Sequence, residues 1–167
     1  AAIIALDENR NLGELLPQLD WVDEIVVVDG GSTDETVATA RSCGGRVFCR
    51  RFDTFARQRN HALQAATSEW VLSIDADERP TPQLAAEIRR RIASAREAGF
   101  RIPIRSSIFG RPFRASGTQD DRPIRLVRRR AARWVGDVHE RLHVSGRLGR
   151  LRGWLRHETT PDLHTFA

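Results

Sequence analysis

Two carboxylates stand one residue apart at positions 75 and 77, directly after a short apolar run over residues 70–74. The run is continuous and contains β-branched and aromatic residues, which predicts a strand buried on both faces. Ligands of open parallel sheets bind at the carboxyl ends of the strands, and Asp75 and Asp77 follow such an end. Because neighbouring carboxylates repel each other unless a cation or several donors offset their charge, the spacing favours a divalent metal site. An acidic surface turn, helped by Glu78 and Pro80, is the alternative.

A third acid, Asp29, ends a second apolar run over residues 24–29. The carboxyl ends of parallel strands meet at one edge of a sheet, so Asp29 is expected on the same edge as Asp75 and Asp77. Acids that follow two separate strands at one edge favour a binding site over a hydrated turn.

The turn after Asp29 carries a helix-start signal. Ser32 and Glu35 have the spacing of a capping box, and Asp34 would favour the positive end of a helix that runs to about Ser42. The two glycines before Ser32 permit the tight turn that this arrangement needs.

These signals together predict an α/β fold. The predicted strands cover residues 2–5, 24–29, 46–49 and 70–74, with helices between them. Such alternation is typical of a doubly wound parallel sheet with ligand contacts on the strand ends. The chain has neither Gly-x-Gly-x-x-Gly nor Gly-Lys-Ser/Thr, which argues against a dinucleotide enzyme and a P-loop NTPase.

The second half is less regular. Thr81 and Pro82 open a predicted helix that ends at Gly99, residues 105–119 are predicted to be a loop, and short strands follow. The length favours one domain over residues 1–167, built from a first half (1–99) and a second half (100–167).

Charge is distributed unevenly along the chain. The sequence has no lysine, and residues 101–156 hold 15 arginines against 4 acids. Such a segment favours an anionic partner, although a solvated arginine face would look the same. A nucleic acid is not the expected partner, because the chain has no recognisable binding module and no tyrosine.

The remaining composition predicts a cytoplasmic protein. No apolar run approaches the roughly 20 residues of a membrane span, and the N-terminus lacks the pattern of a signal peptide. Cys43 and Cys49 have no histidine at metal-ligand spacing, so free thiols are expected.

The sequence resembles the inverting glycosyltransferases of family 2, and most closely their bacterial lipopolysaccharide-core glucosyltransferase branch. The resemblance covers almost the whole chain and lies in residues 3–8, 21–34, 58–62, 70–78, 125–126 and 138–141. It implies the GT-A fold, with a Rossmann-like, mostly parallel sheet, helices on both faces and a smaller, irregular, β-rich second half. The implied reaction moves a sugar from a nucleotide diphosphate sugar, a UDP-sugar above all, to an anionic glycan or lipid-linked acceptor. A lipid-linked acceptor would bring the protein to the inner membrane face.

The resemblance also implies roles for the strand-end residues. Asp29 resembles the residue that recognises the base or ribose, with Glu8 in the loop beside it, and Arg59 and Asp75 resemble nucleotide-binding residues. Asp77 matches the direct ligand of a Mg²⁺ or Mn²⁺ ion on the diphosphate, for which carboxylate oxygens are suitable ligands. The family's usual Asn-Glu-Glu after the first strand is replaced here by residues 7–9, Asp-Glu-Asn.

Residues of the second half would complete the site. By resemblance, Glu140 is the base that takes the acceptor's proton, with Asp137 as the rival base. His157 resembles a C-terminal histidine that reaches the metal, and His139 is the alternative ligand. A nucleotide-sugar-binding domain without turnover remains the alternative function.

Overall fold

A computed structural model describes residues 1–108, 111–112, 122–136 and 139–159 of the chain. The helices are α1 (Asn9–Leu15), α2 (Thr36–Ser42), α3 (Phe55–Ala65) and α4 (Pro82–Ile92), with 3-10 turns at Leu16–Leu19 and Arg129–Ala131. The strands are β1 (Ala2–Ala5), β2 (Val26–Asp29), β3 (Arg46–Cys49), β4 (Trp70–Leu72), β5 (Glu78–Pro80), β6 (Gly99–Arg101), β7 (Ile104–Ile108), β8 (Arg111–Pro112), β9 (Ile124–Arg128), β10 (Ala132–Val135), β11 (Arg141–Val144), β12 (Leu148–Arg150) and β13 (Leu155–Thr159).

The first three strands form the parallel sheet that their alternation with helices predicts, with β2 between β1 and β3. A parallel bridge between Ala2 and Ser73 joins β1 to the strand end of β4. Beyond β4 the sheet becomes mixed, since β9 pairs antiparallel with both β4 and β6, and β12 then pairs parallel with β6. Strands from the second half of the chain therefore extend the sheet of the first.

Helices cover both faces of this sheet, as expected from the resemblance. On one face, Ile3 of β1 belongs to a buried cluster with Leu12 of α1 and Leu84 of α4. On the other face, Val26 of β2 packs with Leu63 of α3. Neighbouring residues of a strand point to opposite faces, so short apolar runs can supply both clusters. None of the helices in the described ranges is long and apolar enough to cross a membrane.

A smaller sheet lies in the order β5-β13-β7-β8, and β10 and β11 form an antiparallel pair. Strand β13 pairs parallel with β7 and antiparallel with β5, which brings His157 opposite Glu78. This pairing brings the C-terminal part of the described chain beside the Asp75–Asp77 turn.

The structure corrects three local predictions. The expected capping box is wrong: Glu35 is the N-cap of α2 without a side-chain bond, and Ser32 Oγ donates instead to Asp29. Helix α4 ends at Ile92 rather than at Gly99, because the chain turns so that Ala98 can donate to the Arg147 carbonyl beside β6.

The third correction concerns the predicted loop over residues 105–119. Its first residues belong to β7, because they pair with β13, and residues 111–112 form β8. Residues 113–121 lie outside the described ranges.

Candidate active site

A cavity of about 710 Å³ opens at the carboxyl ends of β1, β2 and β4. Ala5 from the end of β1, Gly30 directly after β2 and Asp75 beyond β4 all line it. Strand ends meet here because the three strands run in the same direction. The cavity therefore occupies the edge at which the sequence predicted a binding site.

Two carboxylates and two arginines form a buried network in the wall of this cavity. Arg59, on α3, holds Nη1 at 2.8 Å from Asp75 Oδ1. Arg125, on β9, holds Nη2 at 2.9 Å from Asp75 Oδ2 and 2.7 Å from Glu78 Oε1. The Asp75 amide also donates to Glu78 Oε2 at 2.9 Å. Each carboxylate thus has partners that compensate for its removal from water.

The network sets the charge of its two acids in opposite directions. Burial opposes ionisation of Asp75, but the guanidinium groups of Arg125 and Arg59 outweigh it and lower the pKa of Asp75 to about 2. Burial raises the pKa of Glu78 above its usual range, against the attraction of Arg125. Asp75 is therefore a fixed anion at neutral pH, and Glu78 is the acid that takes up a proton more readily.

Asp77 and His157 meet on the same cavity. Their Oδ2 and Nε2 atoms lie 2.9 Å apart, although 80 residues separate them in the sequence. The hydrogen bond to Asp77 raises the pKa of His157. Ser106 Oγ lies 3.3 Å from the other ring nitrogen, Nδ1, and this contact orients the ring.

A carboxylate oxygen and an imidazole nitrogen that face each other fit a Mg²⁺ or Mn²⁺ ion, which could replace the proton they share. In the described part of the chain, no group of three or more His, Cys, Asp or Glu side chains is arranged to hold a metal ion. The donor set is thus small, and it suits an ion that takes its other ligands from a bound diphosphate and water.

Arg79 fixes the backbone of the Asp75–Asp77 turn from beneath. Its side chain is buried, and Nη1 donates to the carbonyl of Ala76 at 2.7 Å, between the two aspartates. Its Nη2 donates to Glu14 Oε2 of α1 at 3.1 Å. This role could not be predicted from the sequence, since Arg79 stands in a charged turn, where an exposed side chain is the usual expectation.

A second cavity, of about 660 Å³, lies on the other side of this wall. Arg59, Asp75 and Arg125 line both cavities, whereas Glu140 lines only the second. Arg59 Nε lies 3.3 Å from Glu140 Oε1, so one guanidinium bridges Asp75 and Glu140.

Strand β10 supports this bridge. The guanidinium of Arg59 lies 4.9 Å from the centre of the Trp134 ring, within cation–π range. The next residue on α3, Asn60, exchanges two hydrogen bonds with the Trp134 backbone, at 2.8 and 2.9 Å. Helix α3 thereby fixes the distance between Arg59 and the strand before Glu140.

The predicted nucleotide residues near β1 and β2 have different surroundings. Glu8 lines the first cavity, and its Oε2 accepts a hydrogen bond from Asn11 at 2.7 Å. Asp29 is buried and does not line the cavity; its carboxylate accepts from the amides of Gly31 and Ser32 at 3.0 and 3.1 Å. The base contact assigned to Asp29 by resemblance stays a prediction.

The two alternatives in the second half are His139 as a metal ligand and Asp137 as the base. His139 has a left-handed backbone, with φ of 60°, and does not line either cavity. Asp137, the rival base, lies outside the described residues.

An apolar wall at the outer end of the first cavity was not predicted from the sequence. Leu6, Phe52 and Phe55 line it and are each at least 40% exposed. The rings of Phe52 and Phe55 meet edge to face with centroids 5.0 Å apart. Exposed aromatic side chains that frame a cavity offer contact area to a flat ring, and their spacing could have served as a signal.

Comparison with known proteins matches most of the chain to one family. The model of a family described as glycosyl transferase family 2 matches residues 4–146. The lipopolysaccharide core biosynthesis glycosyltransferase LpsC of Rhizobium meliloti (strain 1021) is 33% identical over 160 residues, 91% of this chain and 59% of LpsC. This chain therefore spans less than two thirds of that relative's length.

Solved structures share the fold. S. aureus TarS 1–349 in complex with UDP-GlcNAc has a TM-score of 0.67 and 18% identity, over 99% of this chain and 60% of that one. Glucosyl-3-phosphoglycerate synthase from Mycobacterium tuberculosis, in complex with Mn²⁺, UDP and phosphoglyceric acid, has a TM-score of 0.59 and 18% identity, over 99% and 72%. At this identity the likeness establishes the fold alone, and it confirms the GT-A architecture expected from the sequence.

Proposed function

Because this chain belongs to glycosyl transferase family 2, we propose that it moves a sugar from a nucleoside diphosphate sugar to an acceptor hydroxyl, with inversion at the anomeric carbon. The observation that carries the proposal is the wall shared by the two cavities. Asp77 and His157 line one side of it and Glu140 lines the other. The diphosphate of the donor and the hydroxyl of the acceptor could thus be held on opposite faces of the anomeric carbon.

The first cavity would bind the donor, and a UDP-sugar is the donor we propose. Its proposed nucleotide-binding residues are Glu8, Arg59 and Asp75, which line it, and Asp29, which would act from the buried turn whose Gly30 lines it. Structures of the same fold have been solved with UDP-GlcNAc and with UDP and Mn²⁺. Arg59 is positioned by its partners Asp75 and Glu140, so its charge is held in place before a diphosphate arrives.

Asp77 and His157 are the proposed ligands of a Mg²⁺ or Mn²⁺ ion on the diphosphate. When bound, such an ion supplies positive charge that stabilises the departing nucleotide. His157 must be neutral at Nε2 to bind it, and its raised pKa makes proton and metal compete for the same atom. Ser106 holds the opposite ring nitrogen and would keep the ring in place after the exchange.

Glu140 is the proposed base. It would accept the proton of the acceptor hydroxyl while that oxygen attacks the anomeric carbon on the face opposite the leaving diphosphate. Arg59 Nε, 3.3 Å from Glu140 Oε1, orients the carboxylate. Asp137 is the rival in this role.

The acceptor would be an anionic cell-surface glycan or a lipid-linked saccharide. Support comes from the lipopolysaccharide core glycosyltransferase LpsC and from the arginine-rich residues 101–156. The proposed location is the cytoplasm, where the protein would bind its nucleotide sugar. A lipid-linked acceptor would bring the domain to the inner membrane face. The first half, 1–99, would contribute most of the donor cavity, and residues 100–167 most of the acceptor side.

Calorimetry with UDP and with GDP, each with and without Mn²⁺, tests the donor assignment. We expect metal-dependent binding of UDP that Asp77→Ala removes and that Asp20→Ala, an exposed acid elsewhere, leaves unchanged. Absence of binding by both nucleotides would contradict the donor cavity. Binding that keeps its metal dependence in Asp77→Ala would contradict the metal ligand.

Turnover distinguishes an enzyme from a nucleotide-sugar-binding domain without activity. Release of UDP from UDP-glucose and related donors is measured for the wild type and for Glu140→Gln. Removal of a general base lowers turnover by about 10²–10⁴-fold, while UDP affinity should remain unchanged. If Asp137→Asn shows this loss and Glu140→Gln does not, the base is Asp137. A wild type that binds UDP but turns over no donor supports the binding domain.

A further inference from the structure

We infer that the second cavity contains a binding site for an oxyanion, a phosphate or a carboxylate, formed by Arg101 and Arg141. The assignment of that oxyanion to the sugar acceptor rests on the proposed function. The site itself follows from the charges that line the two cavities.

The two cavities have opposite charge although they share a wall. The first is lined by the carboxylates of Glu8, Asp75, Asp77 and Glu78 and by two arginines. Among the described residues, the second is lined by four arginines and only two carboxylates. The excess of acids on one side suits a cation-bound diphosphate, and the excess of arginines on the other suits an anion without a metal.

The four arginines of the second cavity are not equivalent. Arg59 and Arg125 have side chains only 11% and 10% exposed, and both are bound to carboxylates. Arg101 and Arg141 are exposed, and within the described ranges neither has a carboxylate oxygen within 4.0 Å. Among the described residues of this cavity, the positive charge that remains for a ligand is therefore concentrated on Arg101 and Arg141.

One of these two side chains is partly positioned. Arg101 Nη1 donates to the carbonyl of Arg122 at 3.2 Å, which ties the end of β6 to the chain before β9. The guanidinium keeps several other donors, because it has five N–H groups. Arg150 lies opposite Arg101 in the pairing of β12 and β6, so positive charge continues outward along the sheet.

Glu140, the proposed base, lies in the same cavity as these two arginines. Arg141 is its neighbour in the chain, and both line the cavity. A guanidinium forms paired hydrogen bonds with phosphate or carboxylate oxygens, which fixes the orientation of the bound group. If Arg101 and Arg141 bind the anionic group of an acceptor, the acceptor can present a hydroxyl to Glu140 in only a few orientations. Such anchoring favours an acidic or phosphorylated acceptor over a neutral sugar.

Three hexoses that differ in the group at carbon 6 test the site. Glucose 6-phosphate, glucuronate and glucose are titrated into the chain saturated with UDP and Mg²⁺, so that the donor cavity is filled. Binding is followed by nuclear magnetic resonance of the arginine side-chain N–H groups. The same titrations use the double variant Arg101→Gln with Arg141→Gln, and Arg90→Gln, an exposed arginine of α4, as the matched control. Thermal unfolding verifies that each variant is folded.

We expect at least one charged hexose to bind more tightly than glucose, and its identity tells phosphate from carboxylate recognition. The double variant should weaken that binding by about tenfold or more, because it removes the charge-assisted hydrogen bonds to the anionic group. Arg90→Gln should leave it unchanged. Equal binding of all three hexoses, or equal affinity in the wild type and the double variant, overturns the site.

Donor binding distinguishes this failure from failure of the proposed function. UDP affinity in the presence of Mg²⁺ is measured for the same variants and should be unchanged in the double variant. If UDP does not bind to the wild type, the donor assignment is wrong, and the titrations of the chain without nucleotide still test Arg101 and Arg141.

Discussion

Replacement of Arg79 by methionine should destabilise the fold and weaken the metal site together. Methionine keeps much of the hydrophobic volume of the buried side chain but removes its donors. The Ala76 carbonyl between the two aspartates then loses its 2.7 Å bond, and the Glu78 carbonyl loses one of 3.0 Å. Glu14 loses an ion pair at 3.1 Å.

The expected loss of stability is about 2–4 kcal/mol, because each buried acceptor left without its partner costs roughly 1–3 kcal/mol. Glu14 adds little, since its side chain is 45% exposed and water can replace the guanidinium. A turn that loses its support at Ala76 also releases Asp77. Groups that orient a metal ligand change metal affinity by about 10–100-fold, so Mn²⁺-dependent UDP binding should weaken within that range.

Urea unfolding and calorimetry with UDP and Mn²⁺ measure the two effects. Arg10→Met is the matched control, because Arg10 also pairs with Glu14 but its side chain is 80% exposed. This variant should lose no more than about 0.5 kcal/mol and keep its Mn²⁺ dependence. Arg79→Lys should recover part of both losses. If Arg79→Met loses less than about 1 kcal/mol and binds UDP with unchanged Mn²⁺ dependence, the reasoning is refuted.

Three further predictions concern other parts of the fold. Gly153→Ala should lower the thermal midpoint, at a cost of about 1–3 kcal/mol, because its new Cβ would lie 2.5 Å from the Leu84 Cα. An unchanged midpoint would contradict this clash. Asn60→Ala should cost about 2 kcal/mol in urea unfolding and reduce turnover without changing UDP affinity, because the Trp134 backbone loses both its partners. The free energy of unfolding should fall as the pH drops from about 4 toward 2, because the pKa of Asp75 is lower in the folded state than in the unfolded state. Asp75→Asn should reduce this pH dependence. An equal fall in that variant would contradict the assignment to Asp75.

Local signals in the sequence predicted much of the first half correctly. Apolar runs marked β1 to β4, and the alternation of strands and helices predicted the parallel arrangement of β1, β2 and β3. These predictions succeed because side chains alternate between faces in a strand and recur about every 3 to 4 residues on one face of a helix. The order of apolar residues along a short stretch of chain therefore indicates which element it forms. The resemblance to family 2 predicted the GT-A fold, which the structural comparison confirms.

A local signal failed where a longer contact competed with it. Ser32 and Glu35 have the spacing of a capping box, but Ser32 Oγ donates to Asp29 and accepts from the Asp7 amide 25 residues away. Spacing alone cannot show that the hydroxyl has a better partner in a neighbouring loop. The same competition leaves Asp29 bound within its own turn rather than on the cavity.

The sequence by itself determined that acids would gather at one edge of a parallel sheet. Only the tertiary structure decided which partners they meet: His157 beside Asp77, Arg125 between Asp75 and Glu78, and Arg79 beneath the turn. It also decided that two cavities of opposite charge share one wall. The reason is physical, because the side chains in these pairs are 47 to 80 residues apart in the sequence or, for Arg79, depend on burial. The packing of the two halves of the chain, rather than residue spacing, fixes those distances.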